Sequence, residues 1–297
     1  MVIFYIVSIM SMRVLQSVFT KRSYLELPEG IHPYVRYVTV SKFMAAAFAL
    51  LSLFISGSFY GFSAQALLIA GVSGAFLAIG SFCGIKALSG GTIVLNSLFS
   101  TAGLLVPCIL GVFIFDEPMS VLQVLSIGVL FVSMVLLAKS SSNIFGGLKP
   151  VTLICLIGSL LSNGMVMFCQ KLFGFLQPHG NTMLFSFLTF LVPSVGLSLY
   201  ILGNKVTAKH APTPVTFSKK LYIYAAILSF AVFVIQQFVT LLTPKLPSVV
   251  LFSLVNGGAT VIAAIVGAIL YKEKLNVRST VGMILGLLSL ISIKIFE

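Results

Sequence analysis

Charge is the scarcest commodity in this chain. Only 8% of its 297 residues are Asp, Glu, Lys or Arg, against roughly 25% in an ordinary soluble domain. Apolar residues make up 59% and the mean hydropathy is +1.14. A domain of about 300 residues buries only about 75% of its surface, so this much apolar surface excludes a soluble fold and has to face lipid. Acid is scarcer still. Glu26, Glu29, Asp116, Glu117, Glu273 and Glu297 all fall in expected loops or at span ends, as do His32, His179 and His210. An intramembrane enzyme needs an acid, a base or a metal cluster at its site. The one acidic pair, Asp116-Glu117, has no His or Cys set beside it, so no catalysis is expected. Proton-driven antiport relies on a titratable group inside a span, so tight proton coupling is not expected either. Cys83, Cys108, Cys155 and Cys169 lie inside expected spans without metal-ligand spacing. They read as small buried apolar residues, and neither metal nor cofactor is expected. The net charge of +12 has no aromatic-interleaved basic region behind it. Anionic lipid and membrane orientation account for it, and no nucleic-acid partner is expected.

Long apolar runs are what the chain has in plenty. A helix needs about 20 such residues to cross a bilayer. Ten spans follow: 1–20, 37–57, 65–86, 92–115, 119–138, 151–172, 181–203, 220–243, 248–271 and 278–296. The first lacks a basic n-region and a cleavage site, and reads as a span rather than a signal. Expected loops are short, the longest being 21–36 and 204–219. Gly80/Gly84 and Gly282/Gly286 have the spacing that lets membrane helices approach closely, or are chance glycines in a glycine-rich chain. Lys and Arg divide fourteen to three in favour of loops after odd-numbered spans, with Lys42 and Lys86 among the fourteen and Lys171, Lys245 and Lys294 opposite. That bias puts the odd loops in the cytoplasm and both termini outside.

The chain also repeats itself. A shift of 156 lays 92–117 on 248–273, so that Leu95 meets Leu251, Ser97 meets Ser253, Gly111 meets Gly267 and Glu117 meets Glu273. A polar linker, 141–149, separates five spans in 1–140 from five in 150–297. An odd number per half inverts the second half, and two inverted halves suit a transporter that rocks around a central site.

Polar side chains inside spans need a partner or a cavity. Arg13 could counter an anionic solute, or its long side chain could snorkel to the headgroups. Asn96 and Ser100 lie one turn apart on the fourth span. Asn163 and Gln170 share a face of the sixth, Gln236 and Gln237 sit mid-span in the eighth, and Ser253, Asn256 and Thr260 share a face of the ninth. Each alone more often glues helices than binds a ligand. Gly103 with Pro107, and Gly257 with Gly258, are candidate hinges at matching places, with close packing as the alternative. Glu117 and Glu273 could form a salt-bridged gate, or be solvated turns that fix register.

The stretch from Ala87-Leu88 through Ser97-Leu98, Pro107, Gly111 and Asp116-Glu117-Pro118 resembles EamA-type permeases of the drug/metabolite transporter superfamily. So does the second copy, through Ser253-Leu254, Gly267 and Glu273-Lys274-Leu275, and Ser162-Asn163 resembles the pair common in the first helix of a half. The resemblance implies an all-α polytopic fold of ten transmembrane helices in two inverted five-helix repeats. It also implies a central cavity lined by helices 1, 4, 6, 8 and 9, and alternating access. It implies cytoplasmic termini too, against the charge bias. The expected protein is a monomeric permease, exporter, exchanger or facilitator of a small organic metabolite or drug-like solute in a bacterial plasma membrane. Its partners would be that solute and membrane lipids. The alternative is a non-transporting membrane partner or a lipid-handling accessory protein.

Overall fold

The computed structural model describes residues 1–28, 30–57, 63–90, 93–139, 150–207, 217–262, 265–266 and 277–295. The linker, Gly267, Glu273 and most of the 204–219 loop lie outside the described residues. Among the described residues the chain is helical with no strand. Among the described residues seven helical stretches, the broken Leu98–Phe115 included, are long and apolar enough to cross a membrane, and three shorter apolar helices accompany them. The elements are α1 (Val2–Glu26), α2 (Ile31–Ser56), α3 (Ala64–Gly90), α4 (Ile93–Ala102), α5 (Leu105–Phe115), α6 (Val121–Lys139), α7 (Pro150–Leu176), α8 (Thr182–Thr207) and α9 (Lys219–Leu242). Then come α10 (Ser248–Phe252), a π-helical segment (Ser253–Gly258) that continues it, and α11 (Val277–Ile295).

Most of the expected 21–36 loop is helix. Helix α1 runs on to Glu26 because its last turn has polar partners. The Ser23 hydroxyl bonds Tyr37 Oη at 2.5 Å and donates to the Phe19 carbonyl at 2.7 Å, and Tyr24 bonds Tyr34. Buried tyrosines use their hydroxyls in this way. The real connection spans only 27–30 and is turned by Gly30 at φ +122°, a conformation that side chains with a Cβ rarely adopt.

The fourth span is not one helix but two. Pro107 stands in the first turn of α5, where its missing N–H costs nothing. In a continuous helix its ring would collide with the carbonyl four residues back, which belongs to Gly103. The chain therefore leaves the α-helix at Gly103-Leu104, and the Gly103 carbonyl takes the tighter bond from Val106 N at 3.0 Å.

Helix α3 packs on α7 and α8, α2 on α8 and α9, α1 on α9, α6 on α11, α4 and α5 on α7, and α10 on α5. Small residues make the close crossings. A Cβ on Gly80 would meet Ser162 at 3.0 Å, and one on Gly286 would meet Val261 at 2.5 Å and Ser133 Oγ at 2.6 Å. Ser133 also donates to the Gly282 carbonyl at 2.7 Å, locking α6 to α11. The main buried cluster gathers Ile9, Leu104, Leu130, Leu242, Leu251 and Phe252, where α1, α5, α6, α9 and α10 converge.

Helix α8 starts at Asn181, whose Oδ1 accepts from Met183 N at 3.0 Å and Leu184 N at 3.1 Å. Losing such a cap costs about 1 kcal/mol. Asn181→Ala is expected to lower the unfolding temperature of the detergent-purified protein, and Asn181→Asp to preserve it. Equal losses in both variants would show that the cap does not matter.

Candidate functional site

Helix α7 carries a polar seam. Ser159, Asn163, Met167 and Gln170 are spaced by four, four and three residues, which places them on one face. Each meets a different neighbour. Ser159 Oγ lies 3.0 Å from Ser100 Oγ on α4. Asn163 Nδ2 donates to the Ser159 carbonyl at 2.8 Å and reaches Ser100 Oγ at 3.5 Å. Met167 Sδ accepts from Asn256 Nδ2 at 3.5 Å. Gln170 Nε2 donates to Gln236 Oε1 on α9 at 2.8 Å. One seam thus gathers Ser100, Asn163, Gln170, Gln236 and Asn256 from four segments.

Asn256 sits inside the π-helical segment. The wider turn comes where Gly257 and Gly258 follow it, and such segments are frequent at functional sites. Its Nδ2 also donates to the Phe252 carbonyl at 3.2 Å, which leaves Oδ1 to accept from Arg13 Nη2 at 3.1 Å. Arg13 Nη1 donates to Gln16 Oε1 at 3.2 Å, while Nε is buried with no partner among the described residues. Asn96 Oδ1, Gln236 Nε2 and Ser253 Oγ are likewise buried with no partner among the described residues. A buried polar atom left unpaired is costly.

Two of the expected residues are spent elsewhere. Thr260 Oγ1 donates to the Asn256 carbonyl of its own helix at 2.9 Å. Gln237 Nε2 donates to the Thr182 carbonyl at 3.2 Å, tying α9 to the start of α8. Gly103 and Gly258 are contact points. A Cβ on Gly103 would meet the Leu160 carbonyl at 2.7 Å, and one on Gly258 would meet Met10 Cε at 2.8 Å.

Three charges depart from the sequence reading. The span 1–20 puts Arg13 about two turns from a helix end. It lies near the middle of α1, because α1 continues through the tyrosine contacts to Glu26. Lys42, counted as a loop residue, lies well inside α2. Lys171, also counted as a loop residue, is buried in α7 at 6% exposure. Arg13 is therefore not alone inside the spans.

Lys171 is neutralised. Its Nζ lies 2.6 Å from Glu117 Oε1 and donates to the Thr243 and Leu246 carbonyls, each at 2.8 Å. Glu117 Oε2 accepts from Ser248 N at 2.7 Å. The carboxylate thus binds the lysine of α7 and satisfies one of the free amides that open α10. The two side chains are 7% and 13% exposed, so Glu117 is not a solvated turn. Asp116 turns the chain into this position at φ +51°, and Glu117 N bonds the Gly111 carbonyl at 3.3 Å. Gly111 keeps the slot open, since a Cβ there would stand 2.8 Å from Glu117 Oε2 and 3.0 Å from Ser248. That is a physical reason for the Gly111…Glu117 spacing. Its repeat, Gly267…Glu273, lies outside the described residues.

No family model and no curated protein matches the chain. Among solved structures, 28 chains match. One, described only as the crystal structure of a protein, has a TM-score of 0.78 at 11% identity and covers 99% of this chain and 96% of that one. At that identity the likeness speaks for the fold alone.

Proposed function

We propose that this protein is a permease that moves a small organic solute by alternating access, with ten spans in two inverted repeats like those of EamA-type permeases. The observation that carries the reading is the pattern of helix neighbours. Count the spans one to ten, with α4 and α5 as the fourth and α10 with its π segment as the ninth. Adding five to each number exchanges the main helix–helix contacts among themselves, whereas the smaller α7–α9 contact has no α1–α3 counterpart of like extent among the described residues. The α3–α7 contact becomes α9–α1, and α3–α8 becomes α9–α2. The α2–α8, α6–α11 and α5–α10 contacts map onto themselves. Two related halves around one axis are the arrangement on which alternating access operates. The irregular stretches lie close together under the repeat as well, since Gly103-Leu104 in the fourth span corresponds to 259–260, directly after the π-helical Ser253–Gly258 of the ninth. Irregular backbone at membrane depth is tolerated where it is buried in protein or lines a cavity. The seam of α7 runs between these breaks and supplies neutral hydrogen-bonding groups for a solute.

The Glu117–Lys171 clamp fits a gate. It joins the end of the fourth span, the sixth span and the turn into the ninth at one end of the bundle. Of the other described acids, Glu26 ends α1 and Asp116 caps α5, which favours exchange or facilitated diffusion over proton coupling.

The test is solute loss from proteoliposomes loaded with a bacterial metabolite extract, read by mass spectrometry. One solute or a related few should leave faster than from protein-free vesicles. Asn163→Ala and Asn256→Ala should slow that loss about tenfold, or ~1.4 kcal/mol. Identical loss with and without protein would refute transport.

A further inference from the structure

Arg13 and Lys42 are cations deep in the helical bundle, and neither meets a carboxylate among the described residues. Among the described residues Arg13 bonds neutral amide oxygens alone. Lys42 Nζ lies 5.9 Å from the centroid of the Phe190 ring. The buried acid Glu117 is taken by Lys171, and Glu26, at the end of α1, accepts from Tyr224 Oη at 3.5 Å.

The contacts also fix their depth. Phe19 packs on Tyr224 at 5.5 Å and Tyr5 on Phe238 at 4.9 Å, so α1 and α9 run antiparallel. Arg13, six residues before Phe19, is therefore level with Phe230. The Ser41 carbonyl accepts from Ser229 Oγ at 2.7 Å, so Lys42 is level with the same turn of α9. At 1.5 Å per residue the two cations lie within about 3 Å of one depth. Each has about three turns of helix or more on either side, farther than a side chain can snorkel. Uncompensated charge at that depth is costly, and ionisable groups there mark substrate paths.

We propose that the transported solute is a small soluble organic anion, whose carboxylate or phosphate is held by Arg13 with Lys42 as the second positive charge. The proposal rests on the permease reading and names its substrate class. The side edge of a guanidinium, Nε with the neighbouring Nη, takes a carboxylate or phosphate through two parallel bonds. Nε is the atom of Arg13 left without a partner among the described residues. A lipid headgroup would offer the same phosphate chemistry, but it resides at the membrane surface, far from this depth.

The experiment titrates thermal unfolding of the full-length protein in a neutral maltoside detergent with benzoate, phenyl phosphate, benzamide and benzylamine. A ligand that binds only the folded state raises its stability in a saturable way. Benzoate or phenyl phosphate is expected to do so, and benzamide and benzylamine are not. Arg13→Gln and Lys42→Met should each weaken the anion response at least about tenfold, or ~1.4 kcal/mol, and Arg13→Lys should keep part of it. Lys42→Met should also raise the unfolding temperature without ligand, because it removes an uncompensated charge. That readout keeps the proposal falsifiable if the Arg13 variants fold poorly. No response to either anion at millimolar concentration would overturn the proposal. So would an equal response to benzylamine, an anion response that both variants retain, or stabilisation by phosphatidylglycerol in nanodiscs alone. Anions that bind through Arg13 yet never cross a proteoliposome membrane would refute the permease and leave the anion site standing. Exchange of an amine or a neutral solute without anion binding would do the reverse.

Discussion

Glu117→Gln is expected to destabilise the folded protein by about 3–5 kcal/mol, the usual cost of removing one member of a buried ion pair. The variant leaves the Lys171 ammonium buried with only the Thr243 and Leu246 carbonyls, and weakens the acceptor for Ser248 N. Lys171→Met strands the opposite charge, with Glu117 keeping a single amide donor. The double variant removes both charges, so its loss should be smaller than the sum of the two singles. Residues that share one network typically couple by about 0.5–3 kcal/mol. Unfolding of the detergent-purified proteins, followed by circular dichroism, measures the cycle. Singles that simply add would mean that the two side chains stabilise the protein separately. If the clamp is also a gate, a partly active double variant should leak solute in both directions in proteoliposomes.

Gly164→Ala should cost about 3 kcal/mol, the upper end of overpacking penalties. Its Cβ would stand 2.5 Å from both the Gly103 carbonyl oxygen and Val106 Cγ2. Backbone rather than a pliant side chain blocks it, because α7 crosses the fourth span where that span is broken. Gly103→Ala meets the Leu160 carbonyl at 2.7 Å and the Gly164 amide at 2.9 Å, and should behave alike. Gly128 supplies the contrast. Nothing lies within 4 Å of its missing Cβ, so Gly128→Ala should gain the roughly 0.5–1 kcal/mol that alanine holds over glycine in a helix. Chemical unfolding of the three variants decides. If Gly164→Ala matches Gly128→Ala, the crossing is looser than its distances state.

Much of the architecture was legible in the sequence because lipid imposes it. Runs of apolar residues marked the positions of the spans, and Gly103 with Pro107 marked the place where the fourth one breaks. The polar residues of the seam stood out because amides are rare in such runs. The charges were misread for a related reason. Counting Lys and Arg as loop markers presumes that they avoid the interior, and so moved Lys42 and Lys171 out of helices that contain them. Removing both from the count leaves thirteen against two, so the bias survives. The partner of Lys171 is Glu117, two helices earlier in the chain, a tertiary fact that no local pattern carries. The depth of Arg13 was missed because Lys21 and Arg22 looked like a helix end. Only the contacts of Ser23 and Tyr24 with α2 show that the helix continues. The π-helical turn at Asn256 left no signal beyond its two glycines.

The pairing of helices has a consequence for how the chain is made. Helix α1 packs on α9, which leaves the ribosome only after most of the chain between them has been made. At roughly 5–20 residues per second, α1 and α2 wait on the order of ten seconds or more in the bilayer before their principal neighbours exist. Their polar groups, Arg13 and Lys42 among them, spend that time without the surroundings of the finished bundle. Helices α1 and α2 cannot complete their packing before α8 and α9 exist, so synthesis and assembly are separate events for this protein. The insertion machinery, or the annular lipid, must hold the early helices until the late ones arrive.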